Sequence, residues 1–368
     1  MKEIHESFMR KALALAVKGI GRTAPNPAVG CVIVRDGAIV GEGWHRKAGT
    51  PHAEVHALLA AGERAKGADA YVTLEPCSHV GRTPPCADAL IRARVARVFV
   101  GMVDPNPVVS GSGIAKLRDA AIQVECGLLE SRCRDINRPF IKHVTTGLPF
   151  VTLKSALTLD GKTATCSGDS KWVTSEISRK FVHRLRSLVD AVMVGVGTVV
   201  ADDPLLTSRI RGGRDPLRVI VDSSLRIPPA SRVLSVASKA STIIATTQGS
   251  ATDAASVSHL DAELLVCEDS AGKVDLHDLL GRLGRRGVQS VLLEGGALLA
   301  AAFLRERLID RCLFFYAPKV LGSDGIGLFS GPGTMRMADA IPLVNLRVRR
   351  VGGDILVEGE PRYSCLPD

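Results

Sequence analysis

The chain has 368 residues, which is long for a single domain and predicts two. Its hydrophobic fraction of 46% is ordinary for a globular protein, and no apolar run approaches the length of a membrane span. The formal net charge of +9 suits either nucleic acid or a small phosphorylated substrate. Because the basic residues are dispersed and only 4% of the chain is aromatic, stacking on nucleic acid is disfavoured. We expect a small phosphorylated substrate, no nucleic acid and no membrane.

The cysteines and the amino-terminal segment indicate a reducing compartment. Nine cysteines, an odd number, are scattered without the density of a disulfide scaffold. The first residues include acids and do not resemble a signal peptide. We therefore expect a cytoplasmic protein, and we expect it to be a homo-oligomer.

The first half of the chain predicts an α/β layer. Apolar residues at helical spacing predict a helix over 3–18, and Asp36-Gly37 predicts a hairpin turn between strands 29–34 and 39–44. The elements expected after this hairpin are a helix over 52–66, strands 70–74 and 97–100, a helix over 114–121, a strand over 123–126 and a helix over 130–143.

A second domain is predicted to begin after residue 146, where Gly147 and Pro149 interrupt the helical pattern. Strands alternate with helices from there on, which predicts α/β architecture with an antiparallel edge. The expected strands are 150–156, 191–194, 217–221, 242–245, 290–293 and 312–316, followed by a hairpin of 346–351 and 355–358. The Ser/Thr/Ala-rich stretch 235–255 is expected to be loop and surface strand.

The strongest chemical signal is a set of three potential zinc ligands, His52, Cys77 and Cys86. One imidazole and two thiols leave a fourth position for water, which is typical of a catalytic zinc rather than a structural one. Glu54 lies two residues beyond His52 and can move protons on that water. Eight residues separate the cysteines, where the common zinc deaminase pattern has two. Cys86 is expected in the first turn of a helix, because Pro84 and Pro85 can begin one but cannot lie inside it.

The second half carries weaker signals. Gly195-Val196-Gly197-Thr198 follows a strand but lacks the third glycine of a dinucleotide fingerprint, so it is equally explained as a tight turn. The segment 293–297 is a better candidate, because it opens a helix whose amides would face an anion. Lys154, Asp160 and Lys162 lie where a strand runs into a loop, and spacing alone leaves solvated charges as an alternative.

Several motifs together resemble the bifunctional deaminase/reductase family of bacterial riboflavin biosynthesis. The long cysteine spacing is that family's own pattern, and the resemblance covers essentially the whole chain. The matching segments are 23–32, 43–45, 52–54, 77–86, 104–107, 154–162, 168–174, 197–204 and 293–296.

The resemblance implies a cytidine-deaminase-like α/β/α domain over 1–146 and a dihydrofolate-reductase-like α/β domain over 147–368. The first would be a zinc-dependent deaminase acting on 2,5-diamino-6-(5-phosphoribosylamino)pyrimidin-4(3H)-one. The second would use NADPH to reduce the ribosyl group of 5-amino-6-(5-phosphoribosylamino)uracil to ribityl. NADPH rather than NADH is implied by the resemblance alone.

The resemblance also implies site residues. In the deaminase, the substrate would be contacted by Asn26, His45, His79, Arg82, Asp104 and Asn106, with His79 and Arg82 as phosphate partners. Asn26 is alternatively a turn residue between prolines, and the same alternative applies to Asp104 and Asn106.

In the reductase, Lys154 would lie close to the reacting carbon, and Lys154 or Glu294 would manage the proton as the ribose ring opens. The implied substrate contacts are Ser170, Arg186, Leu206, Arg209 and Glu294. The implied cofactor contacts are Ala156, Trp172, Thr198, Asp202, Ser223, Gly296, Ala297, Leu298, Leu299, Ala300, Ala301 and Ala302. For Trp172 the alternative is buried aromatic packing.

Two other functions fit parts of the sequence. A nucleoside or nucleic-acid deaminase predicts a C-x-x-C spacing and more aromatic residues, and neither is present. A binding protein with a degenerate second domain predicts the loss of Glu54 or of a zinc ligand, and none is lost. A chain in which only one of the two domains is active stays open at this point.

Overall fold

The computed structural model describes residues 2–78, 84–107, 109–251 and 261–363. The chain divides into two compact units, Met1–Leu148 and Pro149–Asp368. The boundary expected from the sequence lies after residue 146, close to this division. Within the described ranges, every helix is too short or too polar to cross a bilayer.

The first unit is a five-stranded sheet of order β2-β1-β3-β4-β5 with helices packed on it. Strand β1 pairs antiparallel with β2 and β3, whereas β3, β4 and β5 are parallel. Its elements are α1 (Lys2–Val17), β1 (Gly30–Arg35), β2 (Ala38–Trp44), α2 (Ala53–Ala61), β3 (Asp69–Val72), α3 (Cys86–Arg92), β4 (Arg97–Val100), α4 (Ser112–Asp119), β5 (Gln123–Cys126), α5 (Glu130–Ile136) and α6 (Arg138–Thr146).

The predicted hairpin is present, and its turn residues have the backbone that a two-residue turn requires. Asp36 and Gly37 have φ of 51° and 76°, the left-handed region that Asp and Gly tolerate best. Strand β1 is buried along all but its last residue, and it packs in a core with Met9, Tyr71 and Phe99. A continuous apolar core therefore supports the inner strands of this sheet.

Two predicted helices have the wrong extent. The single helix expected over 130–143 is two helices that break at Asn137, because Pro139 cannot donate the next intrahelical hydrogen bond. The helix expected over 52–66 ends at Ala61, where Gly62 turns to φ 56° and a 3-10 turn follows. At its other end the helix begins at Ala53, so His52 is its N-cap instead of lying in its first turn.

The second unit is built on a nine-stranded sheet of order β11-β10-β9-β8-β14-β6-β15-β18-β17. Its elements are β6 (Phe150–Thr158), β7 (Lys162–Ala164), α7 (Glu176–Leu188), β8 (Ala191–Gly195), α8 (Val196–Asp202), β9 (Leu217–Val221), α9 (Arg232–Ser235), β10 (Thr242–Thr247), α10 (Gln248–Ala251), β11 (Glu263–Cys267), β12 (Asp269–Ser270), β13 (Lys273–Val274), α11 (Leu276–Arg285), β14 (Ser290–Glu294), α12 (Ala297–Arg305), β15 (Arg311–Ala317), β16 (Ile326–Gly327), β17 (Leu343–Val351) and β18 (Asp354–Pro361).

Seven strands of this sheet, β11, β10, β9, β8, β14, β6 and β15, are parallel to one another. The hairpin β17–β18 adds the antiparallel edge expected from the sequence. The expectation of a surface strand within 235–255 is wrong. All six residues of β10 are buried, because β10 lies between β9 and β11 and a parallel sheet is covered on both faces.

We predict that Gly41→Ala destabilises the first unit by about 2–3 kcal/mol, because overpacking a dense interface forces the backbone apart. A Cβ at Gly41 would lie 2.1 Å from the carbonyl oxygen of Ala57 in α2. Urea unfolding followed by Trp44 fluorescence in a Trp172→Phe background measures the change. Gly353→Ala is the control, since a Cβ there meets nothing within 4 Å. Equal stability of the two variants would contradict close packing of β2 on α2.

Candidate functional site

Three potential metal ligands from separate segments converge in the first unit. The Nδ1 atom of His52 lies 3.3 Å from the Sγ atom of Cys86 and 3.6 Å from that of Cys77. Zinc bonds of about 2.1 Å to nitrogen and about 2.3 Å to sulfur at a tetrahedral angle require an N···S separation of about 3.6 Å. All three ligand atoms lie within 4.8 Å of one another. The geometry therefore fits a single zinc ion.

Helix starts and a hydrogen bond position these ligands. His52 is the N-cap of α2 and Cys86 is the first residue of α3, while Cys77 lies in the loop after β3. The Cys86 backbone N–H donates to Cys77 Sγ at 3.3 Å. The hydrogen bond with the Cys86 thiol is the main cause that lowers the pKa of Cys77 to about 4, and it raises the pKa of Cys86. Cys77 thus loses its proton more readily than Cys86, and metal binding requires both thiols to be deprotonated.

Glu54 is a buried carboxylic acid beside the three ligands. It lies in the first turn of α2 and is only 3% exposed. Burial raises the pKa of Glu54 to about 7, and the negative charge of Cys77 acts in the same direction. A carboxyl with a pKa near neutrality can both accept and return a proton, which is what a general acid–base residue must do.

A hydrogen-bonded chain orders His45 and Asn26 next to the ligands. The ring of His45 meets that of His52 edge-on at 5.0 Å. Its Nδ1 lies 3.3 Å from the Pro51 carbonyl, which can only accept, so Nδ1 is the protonated nitrogen. Nε2 then accepts from the Asn26 amide Nδ2 at 3.2 Å. The Oδ1 atom of Asn26 is consequently the end of the amide available as an acceptor.

The remaining predicted deaminase contacts divide into two groups. Asp104 and Asn106 lie in the loop after β4, where Asp104 Oδ1 accepts from the Asn106 N–H at 2.9 Å. This local bond agrees with the turn alternative, and it also fixes the direction of the Asp104 carboxylate. His79 and Arg82 lie outside the described residues.

Two buried polar residues that the sequence did not single out support these loops. Asn137 accepts from the Ala28 N–H at 2.9 Å and donates to the Ala28 carbonyl at 3.1 Å. It thereby connects the junction between α5 and α6 to the loop that carries Asn26. Glu75 accepts backbone N–H groups from the segment after β4. Neither pairing has a sequence signal, because Ala28 lies 109 residues from Asn137 in sequence, and the partners of Glu75 lie up to 39 residues from it.

In the second unit, Lys154, Arg186 and Glu294 form a buried charge cluster. Glu294 at the end of β14 pairs in register with Lys154 on β6. The Arg186 guanidinium binds both carboxylate oxygens of Glu294, at 2.7 and 3.0 Å, and also donates to the Thr207 carbonyl at 3.1 Å. Lys154 Nζ lies 4.0 Å from Glu294 Oε2. Three of the predicted site residues are therefore brought together.

The residues of this cluster have shifted pKa values, each with its own cause. Burial would raise the pKa of Glu294, but the charge and hydrogen bonds of Arg186 hold that pKa at about 2. Burial lowers the pKa of Lys154, and the charge of Glu294 opposes this shift. His183, one turn before Arg186 on α7, was not predicted; burial and the charges of Arg209 and Arg186 lower its pKa to about 4. Glu294 is thus a fixed anion at neutral pH, whereas Lys154 loses its proton more readily than an ordinary lysine.

Some of the predicted cofactor residues, Thr198, Gly296 and the segment 297–302, lie at the start of α12. Gly295 and Gly296 have φ of 70° and 74°, and positions for a Cβ on them lie 3.1 and 3.3 Å from the Thr198 hydroxyl. Gly296 is the N-cap of α12, whose first turns contain the segment 297–302. Ala156 lies two residues beyond Lys154 on β6, so it faces the same side of the sheet. A helix N-terminus that begins with glycines is an arrangement that commonly binds anions.

Further predicted residues of the second unit lie outside the charge cluster of Lys154, Arg186 and Glu294. Ser170 donates to the Asp202 carboxylate at 3.3 Å, and Ser223 accepts from the Val274 N–H at 3.1 Å. Leu206 and Arg209 both have left-handed backbone, with φ of 54° and 51°. The Leu206 side chain is buried and packs in a core cluster of this unit.

The packing alternative for Trp172 is wrong. Its side chain is 61% exposed, and the Arg179 guanidinium lies 4.4 Å from its ring centroid. The Lys319 ammonium donates to the Trp172 carbonyl at 2.6 Å, so the backbone of this residue is fixed while the ring faces solvent. An exposed, oriented indole is available to contact a ligand.

Comparisons with known proteins agree with both units. Residues 149–357 match the family model described as the RibD C-terminal domain, and residues 2–102 match the cytidine and deoxycytidylate deaminase zinc-binding region. The riboflavin biosynthesis protein RibD of Escherichia coli is 45% identical over 95% of this chain and 97% of its own length. That of Aquifex aeolicus is 43% identical over 97% of this chain and 98% of its own length.

Solved structures give the same result. RibD from Acinetobacter baumannii superposes with a TM-score of 0.88 at 39% identity, covering 99% of this chain and all (100%) of that one. A diaminohydroxyphosphoribosylaminopyrimidine deaminase/5-amino-6-(5-phosphoribosylamino)uracil reductase from Thermotoga maritima gives a TM-score of 0.85 at 38% identity, covering 98% of this chain and 99% of that one. The predicted fold class and the predicted family resemblance are confirmed.

We predict that Cys86→Ser lowers the zinc content of the purified, dialysed protein from about one ion per chain to well below half, because a hydroxyl is a poor zinc ligand. Elemental analysis by mass spectrometry measures the content. Cys126→Ser, which replaces an exposed thiol far from His52 in sequence, is expected to keep its zinc. Equal zinc in both variants would exclude Cys86 as a ligand.

Proposed function

Because the chain belongs to the RibD family of riboflavin biosynthesis proteins, we propose that it catalyses two consecutive reactions. The first unit hydrolytically deaminates 2,5-diamino-6-(5-phosphoribosylamino)pyrimidin-4(3H)-one. The second reduces the ribosyl group of the product, 5-amino-6-(5-phosphoribosylamino)uracil, to ribityl. The observation that carries the proposal is the convergence of His52, Cys77 and Cys86 beside the buried acid Glu54.

In the deaminase, His52, Cys77 and Cys86 hold zinc, which when bound supplies Lewis-acid activation of water. Glu54 accepts the proton of the attacking water and returns it to the leaving ammonia, a role supported by its burial in the first turn of α2 beside the ligand His52. Asn26, with its amide nitrogen turned toward His45, offers Oδ1 to an N–H of the pyrimidine. Asp104 and Asn106 contact the same substrate, and His79 and Arg82 bind its phosphate.

In the reductase, NADPH supplies the hydride, and the protein supplies orientation and proton transfer. Of the two candidate proton carriers we favour Lys154. Its lowered pKa makes proton release easier, whereas Glu294 with a pKa of about 2 has no proton to give at neutral pH. Glu294 instead keeps Lys154 and Arg186 in place.

The contacts of the second unit favour different roles for Arg186 and Arg209. Three of the five N–H groups of Arg186 are already engaged by Glu294 and Thr207, so Arg186 has few donors left for a phosphate. Arg209 is exposed and its pKa is lowered by burial of part of the side chain and by the charge of Arg186. We therefore favour Arg209 as the phosphate partner, with Ser170 and the main chain of Leu206 contacting the substrate, since the Leu206 side chain is buried.

Cofactor binding is assigned to the region around the start of α12. The segment 296–302 and Thr198 receive the pyrophosphate side of NADPH, and Ala156, Trp172, Asp202 and Ser223 contact the rest. The glycine backbone at 295–296 and the exposed indole of Trp172 support this assignment. The eight described cysteines are free thiols, which supports a cytoplasmic location. Homo-oligomer formation stays a prediction.

A paired assay tests the two-step proposal. Purified zinc-loaded protein is given the diaminopyrimidinone phosphoriboside, and ammonia release and NADPH oxidation are followed together. We expect both signals from the unaltered chain. Glu54→Gln should lower ammonia release by at least about 100-fold, the contribution of a positioned acid–base group. NADPH oxidation by this variant should return when the deaminated intermediate is added.

Two outcomes would contradict the proposal. Ammonia release without NADPH oxidation would leave a deaminase with a different second activity. Absence of ammonia would return the first unit to the nucleoside deaminase alternative. Separately, full turnover of the intermediate by Lys154→Ala would remove Lys154 from the reductase mechanism.

The assignment of Lys154 also predicts a pH effect. Protonated Lys154 is the active form, so the reductase rate should fall as pH rises through the pKa of Lys154. The charge of Glu294 raises that pKa, so Glu294→Gln should lower it and move the alkaline limb of kcat to lower pH. The kcat–pH profile of NADPH oxidation measures this shift. Glu176→Gln alters an exposed carboxylate paired with Lys180 and should leave the limb in place; an unmoved limb in Glu294→Gln would contradict the role of Lys154.

A further inference from the structure

The Glu75 carboxylate binds four backbone N–H groups of one segment. Glu75 lies just after β3, two residues before Cys77, and is 3% exposed. Its Oε2 accepts from the N–H groups of Asp104 and Gly111 at 3.1 and 3.0 Å. Its Oε1 accepts from those of Gly113 and Ile114 at 2.9 and 3.2 Å. Both oxygens are thus saturated by main-chain donors.

These donors belong to the two ends of the loop between β4 and α4. Asp104 lies in the first half of the loop, and Gly111, its last residue, is the N-cap of α4. Gly113 and Ile114 lie in the first turn of α4, where N–H groups have no partner within the helix. The first turn of α4 contains no acidic residue of its own, so Glu75 provides the negative charge that this end of the helix favours.

Two further contacts bring the loop against the cysteine segment. A Cβ at Gly113 would lie 1.9 Å from the carbonyl oxygen of Pro76, so the backbones meet at a distance that only glycine permits. The hydroxyls of Ser78 and Ser112 are 2.7 Å apart. Glu75, Pro76 and Ser78 flank Cys77, and all three contact the segment that follows Asp104 and Asn106.

The hydrogen bonds require a carboxylate. An ionised carboxylate accepts at both oxygens and donates at neither, which matches four converging donors. An amide of the same shape would turn its NH2 group toward two of the four N–H groups, leaving two buried donors unpaired. The direction of the loop is therefore sensitive to a change that preserves the volume of the side chain.

We propose that Glu75 is a positioning residue of the deaminase: it holds Asp104 and Asn106 at a fixed place relative to the metal ligand Cys77. This inference rests on the proposed function, in which Asp104 and Asn106 contact the pyrimidine. Glu75 touches neither substrate nor metal in this role. It acts through the backbone of the loop, whose Asp104 side chain in turn accepts from the Asn106 N–H.

The test is Glu75→Gln in the full-length, zinc-loaded chain. Loss of substrate contacts that are equally strong in the ground and transition states raises KM and leaves kcat nearly unchanged. We expect the KM for ammonia release to rise about tenfold, a usual cost of losing a residue that orients a binding group. Zinc content and NADPH oxidation with added intermediate should stay at the level of the unaltered chain. Amide hydrogen exchange at Asp104, Gly111, Gly113 and Ile114 should become at least about tenfold faster.

Asp69→Asn is the matched control. Asp69 lies at the opposite end of β3 and binds Arg97 through both carboxylate oxygens, at 2.8 and 2.5 Å. Its replacement removes a hydrogen-bonded carboxylate at the other end of β3 without touching the loop, so both KM and the four exchange rates should stay unchanged.

The outcomes separate this inference from the proposed function. Normal activity of the unaltered chain with an unchanged KM in Glu75→Gln would overturn the positioning role alone, and so would unchanged exchange at the four amides. Loss of zinc from Glu75→Gln would also overturn it, because the residue would then act on the metal site. Absence of ammonia release from the unaltered chain would refute the proposed function, and with it any role of Glu75 in that reaction.

Discussion

Close packing of strand β2 on helix α2 is the contact on which the metal centre depends. Positions for a Cβ at Gly41 and Gly43 would lie 2.1 and 2.2 Å from the carbonyl oxygens of Ala57 and Ala53, so only glycine lets the strand and helix backbones approach this closely. The contact fixes the start of α2, where His52 and Glu54 lie. It also brings His45, which follows β2, to the ring of His52. A wider spacing would move His52 and Glu54 away from both cysteines.

Glu54 in the first unit and Glu294 in the second are buried carboxyls with opposite properties. Glu54 is buried beside Cys77, and burial raises its pKa to about 7. Glu294 is equally enclosed, but the forked guanidinium of Arg186 binds it and lowers its pKa to about 2. Burial disfavours the charged form in both cases, and the neighbouring charge decides the outcome. The first carboxyl is suited to proton transfer, and the second to holding cations in place.

Backbone hydrogen bonds to buried side chains connect the site loops to the sheet. Glu75 binds the segment after β4, and Asn137 binds Ala28 in the loop that carries Asn26. Loops of this kind have no regular pairing of their own, so a buried acceptor or amide supplies the missing partners. The proposed substrate contacts thus depend on residues that never reach the substrate.

The sequence by itself determined the metal chemistry and the α/β class. The residue types His52, Glu54, Cys77 and Cys86 restrict the metal and the reaction, since ligand identity decides which cation binds. Apolar periodicity and turn residues located most strands, including the hairpin at Asp36-Gly37, because these signals are local. The break at Asn137 and the end of α2 at Ala61 were missed, although Pro139 and Gly62 are local signals, because the apolar pattern continues past both positions.

Only the tertiary structure decided the roles that depend on contacts between distant residues. It paired Arg186 with Glu294 across 108 positions, and this pairing holds the pKa of Glu294 low. It exposed Trp172, buried β10 and directed four amides to Glu75. The physical reason is that pKa values and buried hydrogen bonds are set by neighbours in space, and the sequence specifies those neighbours only through the complete fold.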